Sequence, residues 1–375
     1  MAPETEAPRQ WLGTLLGPDA AALAGRPIPE VELVAEAAIG EKIASLTLWR
    51  LSQQQSAGSS PDPSDTAQLR QRLAGAQQED VLAAMVLEHE ARALQQHLAQ
   101  LQMPCLLLKG VALAHWAYEQ PQHRRSNDID LLVPTFADAQ RLAEHLARRG
   151  YEWQSTSDSE TGYELLCTRR IGPQLVMEID IHWAVHVSPV FAGALPIDPL
   201  FAQARPIPAL GEGAKGLGPV DALLHASLNH ALDVTNGLGE PLRLLHDFIA
   251  IGRHLDDHLW RRLVDQATAQ RMAGAVCSAL DATTRAMGAT WPPEALAQLR
   301  RAAQREPVDH RRYGDWLYMQ RAVWRSLPGT QARLRWLLQR LAPNRGYLEH
   351  QHGSGHSYAG LLARRALSGL RKLGR

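Results

Sequence analysis

Cysteine is scarce in this chain. Its 375 residues include three, Cys105, Cys167 and Cys277. Their odd number and wide spacing argue against a disulfide framework or a Cys-based zinc site. A reducing cytoplasm is the expected compartment. Excess charge of either sign is also lacking. Lys+Arg and Asp+Glu number 39 each, for a formal net charge of zero. No overall field draws the chain to a polyanion or a lipid surface, and nucleic acid is not an expected partner. No stretch reaches the run of about 18 apolar residues that a membrane span needs, so no membrane role is expected. The acidic start, Met1 to Pro8, has no apolar run, so no signal peptide is expected.

What is abundant is Ala, Leu, Gln and Arg, which favour helix. The first ten residues read as disordered. Apolar residues then recur at helical spacing from Val31 to Leu51, as in Val34, Ala38, Ile43 and Leu46. Ser52–Thr66 reads as an exposed linker. A long helix is expected over Ala67–Leu101, stopped by Pro104. Cys105–Leu108 is a short apolar run with the character of a buried strand, and Val111–Tyr118 reads as a helix. A polar loop, Pro121–Asn127, leads into a strand at Asp128–Val133. Phe136–Arg149 is a helix closed by Gly150. Tyr163–Arg170 and Gln174–Trp183 read as a strand pair joined by Ile171-Gly172-Pro173. Residues 186–219 are rich in Pro and Gly and read as short strands or loop. From Pro219 onward every segment reads as helix. The expected division is an N-terminal helical segment and linker over 1–66, a small α/β core over 67–215 and a helical region over 216–375.

The strongest local signal is Ser126-Asn127-Asp128-Ile129-Asp130-Leu131-Leu132-Val133. A strand alternates faces at every residue. Asp128 and Asp130 therefore share one face, and Ile129, Leu131 and Val133 share the other. Two neighbouring carboxylates repel, and a divalent cation is the usual compensation. Oxygen ligands favour Mg²⁺, with substrate phosphates completing its shell. A second alternation, Glu178-Ile179-Asp180-Ile181-His182, puts Glu178, Asp180 and His182 on one face. If the two strands lie side by side, Asp180, or Glu178 after it, adds a third carboxylate, and three carboxylates can hold two metal ions. Lys109 and Gly110, between a strand and a helix, suit phosphate binding.

Leu107-Leu108-Lys109-Gly110, Tyr118, Arg124 and Asp128–Val133 together resemble an uncharacterised nucleotidyltransferase-like family of the DNA polymerase β superfamily. Asp180 two residues before His182-Trp183 is similar to that family's pattern. So is a downstream helical region with a His, either His225 or His230, and Arg243 four residues before Asp247. The resemblance spans roughly residues 80–375. It implies an α+β fold, in which a small mixed-sheet nucleotidyltransferase core is flanked by N-terminal helices and a C-terminal helical region. It also implies transfer of an NMP from an NTP, with Mg²⁺, to a hydroxyl of a small-molecule or protein acceptor. Asp128, Asp130 and Asp180 are then the catalytic carboxylates, with Glu178 as a further metal ligand. Lys109, Gly110, Arg124 and Ser126 are expected at the nucleotide. The alternatives are a catalytically silent nucleotide-binding or scaffold protein of a modifying pathway, and a toxin–antitoxin-type nucleotidyltransferase.

Several other residues carry plainer readings. Arg243 and Asp247 are spaced for an intrahelical ion pair. His254 and His258 lack the glutamate of a zinc-protease motif. His350, His352 and His356 read as part of a solvated loop. Arg364, Arg365, Arg371, Lys372 and Arg375 form a solvated basic face.

Overall fold

The computed structural model describes residues 6–155, 163–172, 175–186, 188–191, 193–341, 348 and 357–373. The fold is α+β, with one mixed sheet inside a mostly helical chain. Among the described residues, four α-helices precede the sheet: α1 (Glu6–Leu16), α2 (Val31–Gly40), α3 (Ala44–Ser56) and α4 (Pro63–Gln100). The segment expected to be disordered is thus helical from Glu6. The expected helix over 31–51 is two helices, broken where Lys42 takes a positive φ of 57°. The expected linker shrinks to the residues between Ser56 and Pro63. Asp62 starts α4 by accepting hydrogen bonds from the amides of Ser64 and Asp65, with Pro63 at the first helical position.

The sheet strands are β1 (Leu106–Leu108), β2 (Asp128–Leu132), β3 (Glu152–Ser155), β4 (Glu164–Arg170), β5 (Val176–His182), β6 (Arg205–Pro206) and β7 (Lys215–Gly216). Their order is β3-β4-β5-β2-β1-β7-β6. β2 pairs in parallel with β5 and β1 with β7, and the other neighbours are antiparallel. Between strands run α5 (Lys109–Trp116), α6 (Phe136–Ala147) and α7 (Ile197–Ala202). After the sheet come α8 (Pro219–Asn236), α9 (Leu242–Gly252), α10 (Asp257–Ala269), α11 (Ala273–Met287), α12 (Pro293–Ala303), α13 (Trp316–Ser326), α14 (Gly329–Leu341) and α15 (Tyr358–Leu373). The three histidines read into a solvated loop, and Arg375, lie outside the described residues. Among the described residues, no helix is long and apolar enough to cross a membrane.

The alternation of β2 sorts its neighbours. Ile129, Leu131 and Val133 pack with Ile179 and Ile181 of β5, with Leu94 and Leu98 of α4 and with Leu142 and Leu146 of α6. Leu132 faces the other way, with Leu106 and Leu108, into a core built from α8, α9, α10 and α11. A third apolar cluster joins α1–α3 to Leu242 and Leu245 of α9 and to Ala282 and Met287 of α11. The 38 residues of α4 serve two of these cores, a reach of about 57 Å at the α-helical rise. Its early Leu69 and Leu73 pack with the N-terminal helices, and its later Leu94 and Leu98 pack under the sheet.

α1 lies against the end of α11 so closely that no side chain fits between them. A Cβ on Gly13 would stand 2.0 Å from the Ala286 carbonyl oxygen, and one on Gly17 would stand 1.8 Å from that of Met287. Gly13→Ala and Gly17→Ala are each expected to cost about 1–3 kcal/mol through forced displacement. Gly75→Ala, in an exposed part of α4 with open space around it, is expected to stabilise by about 0.5–1 kcal/mol. Urea unfolding of the three variants beside the wild type checks both signs.

Candidate active site

The register of β2 against β5 builds the site. Asp128 pairs with Glu178, Asp130 with Asp180 and Leu132 with His182. Side chains of partnered residues point to the same face, so the two alternations read from the sequence lie side by side. Asp130 is 3% exposed, Asp180 is half-buried and Glu178 is exposed. Ligand atoms of Asp130, Asp180 and His182 all lie within 4.8 Å of one another. On the other side of β2, Leu108 of β1 pairs with Asp130. The next residue, Lys109, has φ +45°, where the chain leaves the strand and begins α5. A non-glycine residue held there is strained, and such strain gathers at functional sites. Lys109 Nζ lies 2.9 Å from Asp130 Oδ1.

His182 Nε2 donates to the same oxygen of Asp130 at 3.1 Å. Its Nδ1 faces Glu164 Oε2 at 3.6 Å, and the Tyr163 ring stacks on the imidazole with centroids 5.8 Å apart. Tyr163 and Glu164 were legible only as strand residues, and nothing in their local sequence marks them as site neighbours. Burial by itself would push the Asp130 carboxyl up, but the Lys109 ammonium and the His182 hydrogen bond outweigh it and hold it well below the usual range. Asp180 goes the other way. Burial and then repulsion from Asp130, Glu164 and Asp128 push it up to about 7.

Asp128 stands two residues before Asp130 on the same face. Its carboxylate accepts from Ser126 Oγ at 2.8 Å. Ser126 is buried and packs against Gly110, where a Cβ would lie 2.2 Å from Ser126 Oγ and 2.7 Å from Ser126 Cβ. Gly110 is therefore needed for close approach. The expected nucleotide-side residues Gly110 and Ser126 meet each other, and through Ser126 they meet Asp128.

Arg124 is buried. Its Nε and Nη2 donate to Asp247 Oδ1 and Oδ2 at 2.6 and 2.8 Å, and Nη1 donates to the Arg125 carbonyl at 2.9 Å. Tyr118 Oη donates to Asp247 Oδ1 at 2.7 Å, and His246 Nδ1 lies 3.2 Å from Tyr118 Oη. Asp247 is thus paired with Arg124, not with Arg243. Arg243 instead donates to the Arg125 carbonyl at 3.0 Å. This network ties the segment before β2 to the residues just after α5 and to α9. Breaking a buried pair of this kind leaves a stranded charge and costs about 3–5 kcal/mol.

The sheet face that carries Lys109 opens into a cleft of about 1070 Å³. Lys109, Arg124 and Tyr163 line one side. His225, Asn229, His230 and Asp233 of α8 line another, with Phe248 of α9 and Trp336 of α14. His225 lies 3.3 Å from Asn229 Nδ2, and burial, with Lys109 nearby, holds its imidazole neutral, down to about 3. His230 Nε2 lies 3.0 Å from Glu240 Oε1. The volume is at the upper end of the range for small-molecule sites.

The model of a family described as uncharacterised nucleotidyltransferase matches residues 30–288. The chain belongs to that family. It is therefore an enzyme of the nucleotidyltransferase class, for which an NTP is the implied substrate. No curated protein matches the chain. The nucleotidyltransferase match covers β1, β2 and β5, the cleft helices α8 and α9, and both partners of the Arg124–Asp247 pair. The donor set of this cluster fits a divalent cation. Two carboxylates and an imidazole converge, and burial followed by repulsion between the acids raises one of them.

The raised Asp180 carboxyl predicts a pH dependence. A carboxyl whose folded pKa is raised binds its proton more tightly when folded, so stability falls as pH rises from the unfolded value near 4 towards about 7. In the presence of a chelator, Asp180→Asn is expected to melt higher than wild type at pH 8. The difference should shrink towards pH 4, where wild-type Asp180 is protonated. Melting curves at pH 4, 6 and 8 check the sign.

Proposed function

We propose that the protein is a Mg²⁺-dependent nucleotidyltransferase that moves an NMP from an NTP to a hydroxyl of a small-molecule or protein acceptor. The observation that carries this reading is the pairing of Asp130 with Asp180 on neighbouring parallel strands, beside His182 and in contact with Lys109 and Tyr163, which line the cleft. Asp128, Asp130 and Asp180 would hold the metal, with His182 beside them and the exposed Glu178 as a further oxygen donor. Bound there, Mg²⁺ would neutralise charge on the α-phosphate and acidify the attacking hydroxyl.

The chain's own residues have separate tasks. The acceptor oxygen forms a bond to the α-phosphorus, the bond from that phosphorus to the bridging oxygen of the β-phosphate breaks, and pyrophosphate leaves. Asp180, paired beside Asp130, takes the hydroxyl proton. Lys109 offers its ammonium to phosphate oxygens, since it already points from the cleft edge towards Asp130. Ser126 orients Asp128, and Gly110 leaves room for Ser126. Arg124, with Nε, Nη1 and Nη2 all engaged, fixes the segment that delivers Asp128. The cytoplasm is the proposed compartment, supported by three free cysteines, of which burial drives Cys167 and Cys277 up to about 12 and makes them poor nucleophiles.

One observation favours a second reading. The Lys109 ammonium already neutralises Asp130, as it could in a catalytically silent nucleotide-binding protein. Incubation of the full chain with Mg²⁺, labelled NTPs and cell extract separates the two. Transfer of label to an acceptor, reduced about a thousandfold in Asp130→Asn by loss of several kcal/mol of charge stabilisation, supports the enzyme. Metal-dependent NTP binding with no labelled product supports the silent protein.

A further inference from the structure

Asp128 has a second charged neighbourhood, on the side of the N-terminal helices. Lys42 sits at the break between α2 and α3 with φ +57°. The preceding residue, Glu41, fixes that break in space. It accepts from Arg9 Nε at 2.8 Å and from the amide of Leu242, the first residue of α9. With the Asn127 amide oxygen turned towards it, Lys42 Nζ donates to that oxygen at 2.6 Å. Its ammonium therefore lies beside the residue that precedes Asp128. Lys42 feels Arg243 and Arg125 as repelling neighbours and Asp128 as an attracting one.

These cations are unequally compensated. Arg125 Nη1 pairs with the buried Asp80 at 2.8 Å, and Asp80 also accepts from the Ser45 amide at 3.1 Å. Arg243 spends one nitrogen on the Arg125 carbonyl. Among the described residues, neither Lys42 nor Arg243 forms an ion pair, and the side-chain partner of Lys42 is a neutral amide. Two cations without carboxylate partners, held in place from α9 and the α2–α3 break, make a site that favours an anion. Asp128 lies two residues from Asp130, about 7 Å along the strand. A chain of phosphates whose first phosphorus reacts at Asp130 and Asp180 can extend past Asp128 towards this pair.

We infer that Lys42 and Arg243 form the binding site for the β- and γ-phosphates of the NTP, and so hold the pyrophosphate that leaves. The assignment rests on the nucleotidyltransferase reading above. It gives the N-terminal helices a direct part in substrate binding. It also divides the triphosphate between two sides of Asp128, with Lys109 on the cleft side and Lys42 with Arg243 on the other.

Calorimetric titration of the full chain in Mg²⁺ tests it, with each of the four common ribonucleoside triphosphates, the matching NMP and inorganic pyrophosphate as ligands. Lys42→Gln is expected to weaken NTP and pyrophosphate by about ten- to hundredfold, the loss of one charge-assisted contact, and to leave NMP affinity within about twofold. Lys42→Arg should retain most of the affinity, and Arg243→Gln should follow Lys42→Gln. Lys42 is exposed, so Lys42→Gln should melt with the wild type, which keeps a loss of binding from being a loss of folding. NTP binding that disappears in Asp130→Asn but is unchanged in Lys42→Gln overturns the assignment and leaves the proposed function standing. Wild-type binding of pyrophosphate, weakened in Lys42→Gln, without binding of any NTP keeps the anion site and removes the nucleotidyl reading. Equal weakening of NTP and NMP in Lys42→Gln also overturns it.

Discussion

Asp130 is a carboxylate taken almost wholly out of water, and its charge has to be met from within the fold. The Lys109 ammonium and the His182 imidazole both converge on one of its oxygens. Each comes from a different strand edge: Lys109 from the end of β1 and His182 from β5. The parallel pairing that brings in His182 also brings in Asp180, whose charge nothing comparable offsets. The site therefore holds one acid fully ionised and its neighbour pushed towards neutrality. Such a pair is costly in the empty protein and ready for a cation. The strained backbone of Lys109 and the glycine beside it follow from the same demand, because the chain must turn at the end of β1 without pushing Ser126 away from Asp128.

The helices around the sheet hold this arrangement still. Arg124 and Asp247 form a bidentate buried pair across 123 residues of sequence, and Tyr118, His246 and Arg243 complete its surroundings. Tyr118, Arg124, Arg243 and Asp247 belong to the motif that resembles the family, and the structure gathers all four at one place behind β2. Their shared task is to fix the loop that delivers Ser126 and Asp128. The N-terminal helices join the same frame through the tight contact of α1 with α11 and through Glu41 at the start of α9.

The strands of the site were legible because their alternation is local. Asp128 and Asp130, and Glu178, Asp180 and His182, each declare a shared face within a few residues. Their side-by-side placement is beyond the reach of local pattern, since the pairing joins residues some 50 positions apart. Arg243 and Asp247 misled for a related reason. A spacing of four allows an intrahelical pair, yet the buried Arg124 makes a better partner for Asp247 because its planar fork meets both oxygens. The start of the chain misled too. The first ten residues read as disordered, yet α1 begins at Glu6 and Pro8 is already buried, because the helix continues into Trp11, Leu12, Leu15 and Leu16, whose core with α9 and α11 local sequence could not display. Lys42 had no signal at all, because its meaning comes only from residues that lie far away in sequence.

In the proposed function, Asp130 and Asp180 share a divalent cation when an NTP binds, and Lys109 turns from Asp130 to the phosphates. The most direct measurement is anomalous diffraction from crystals grown with Mn²⁺ and a non-hydrolysable NTP analogue. An anomalous peak within ligand distance of both Asp130 and Asp180, with the triphosphate beside it, is the predicted result. An NTP bound in the cleft with no peak there, and with the Lys109–Asp130 ion pair intact, would contradict it.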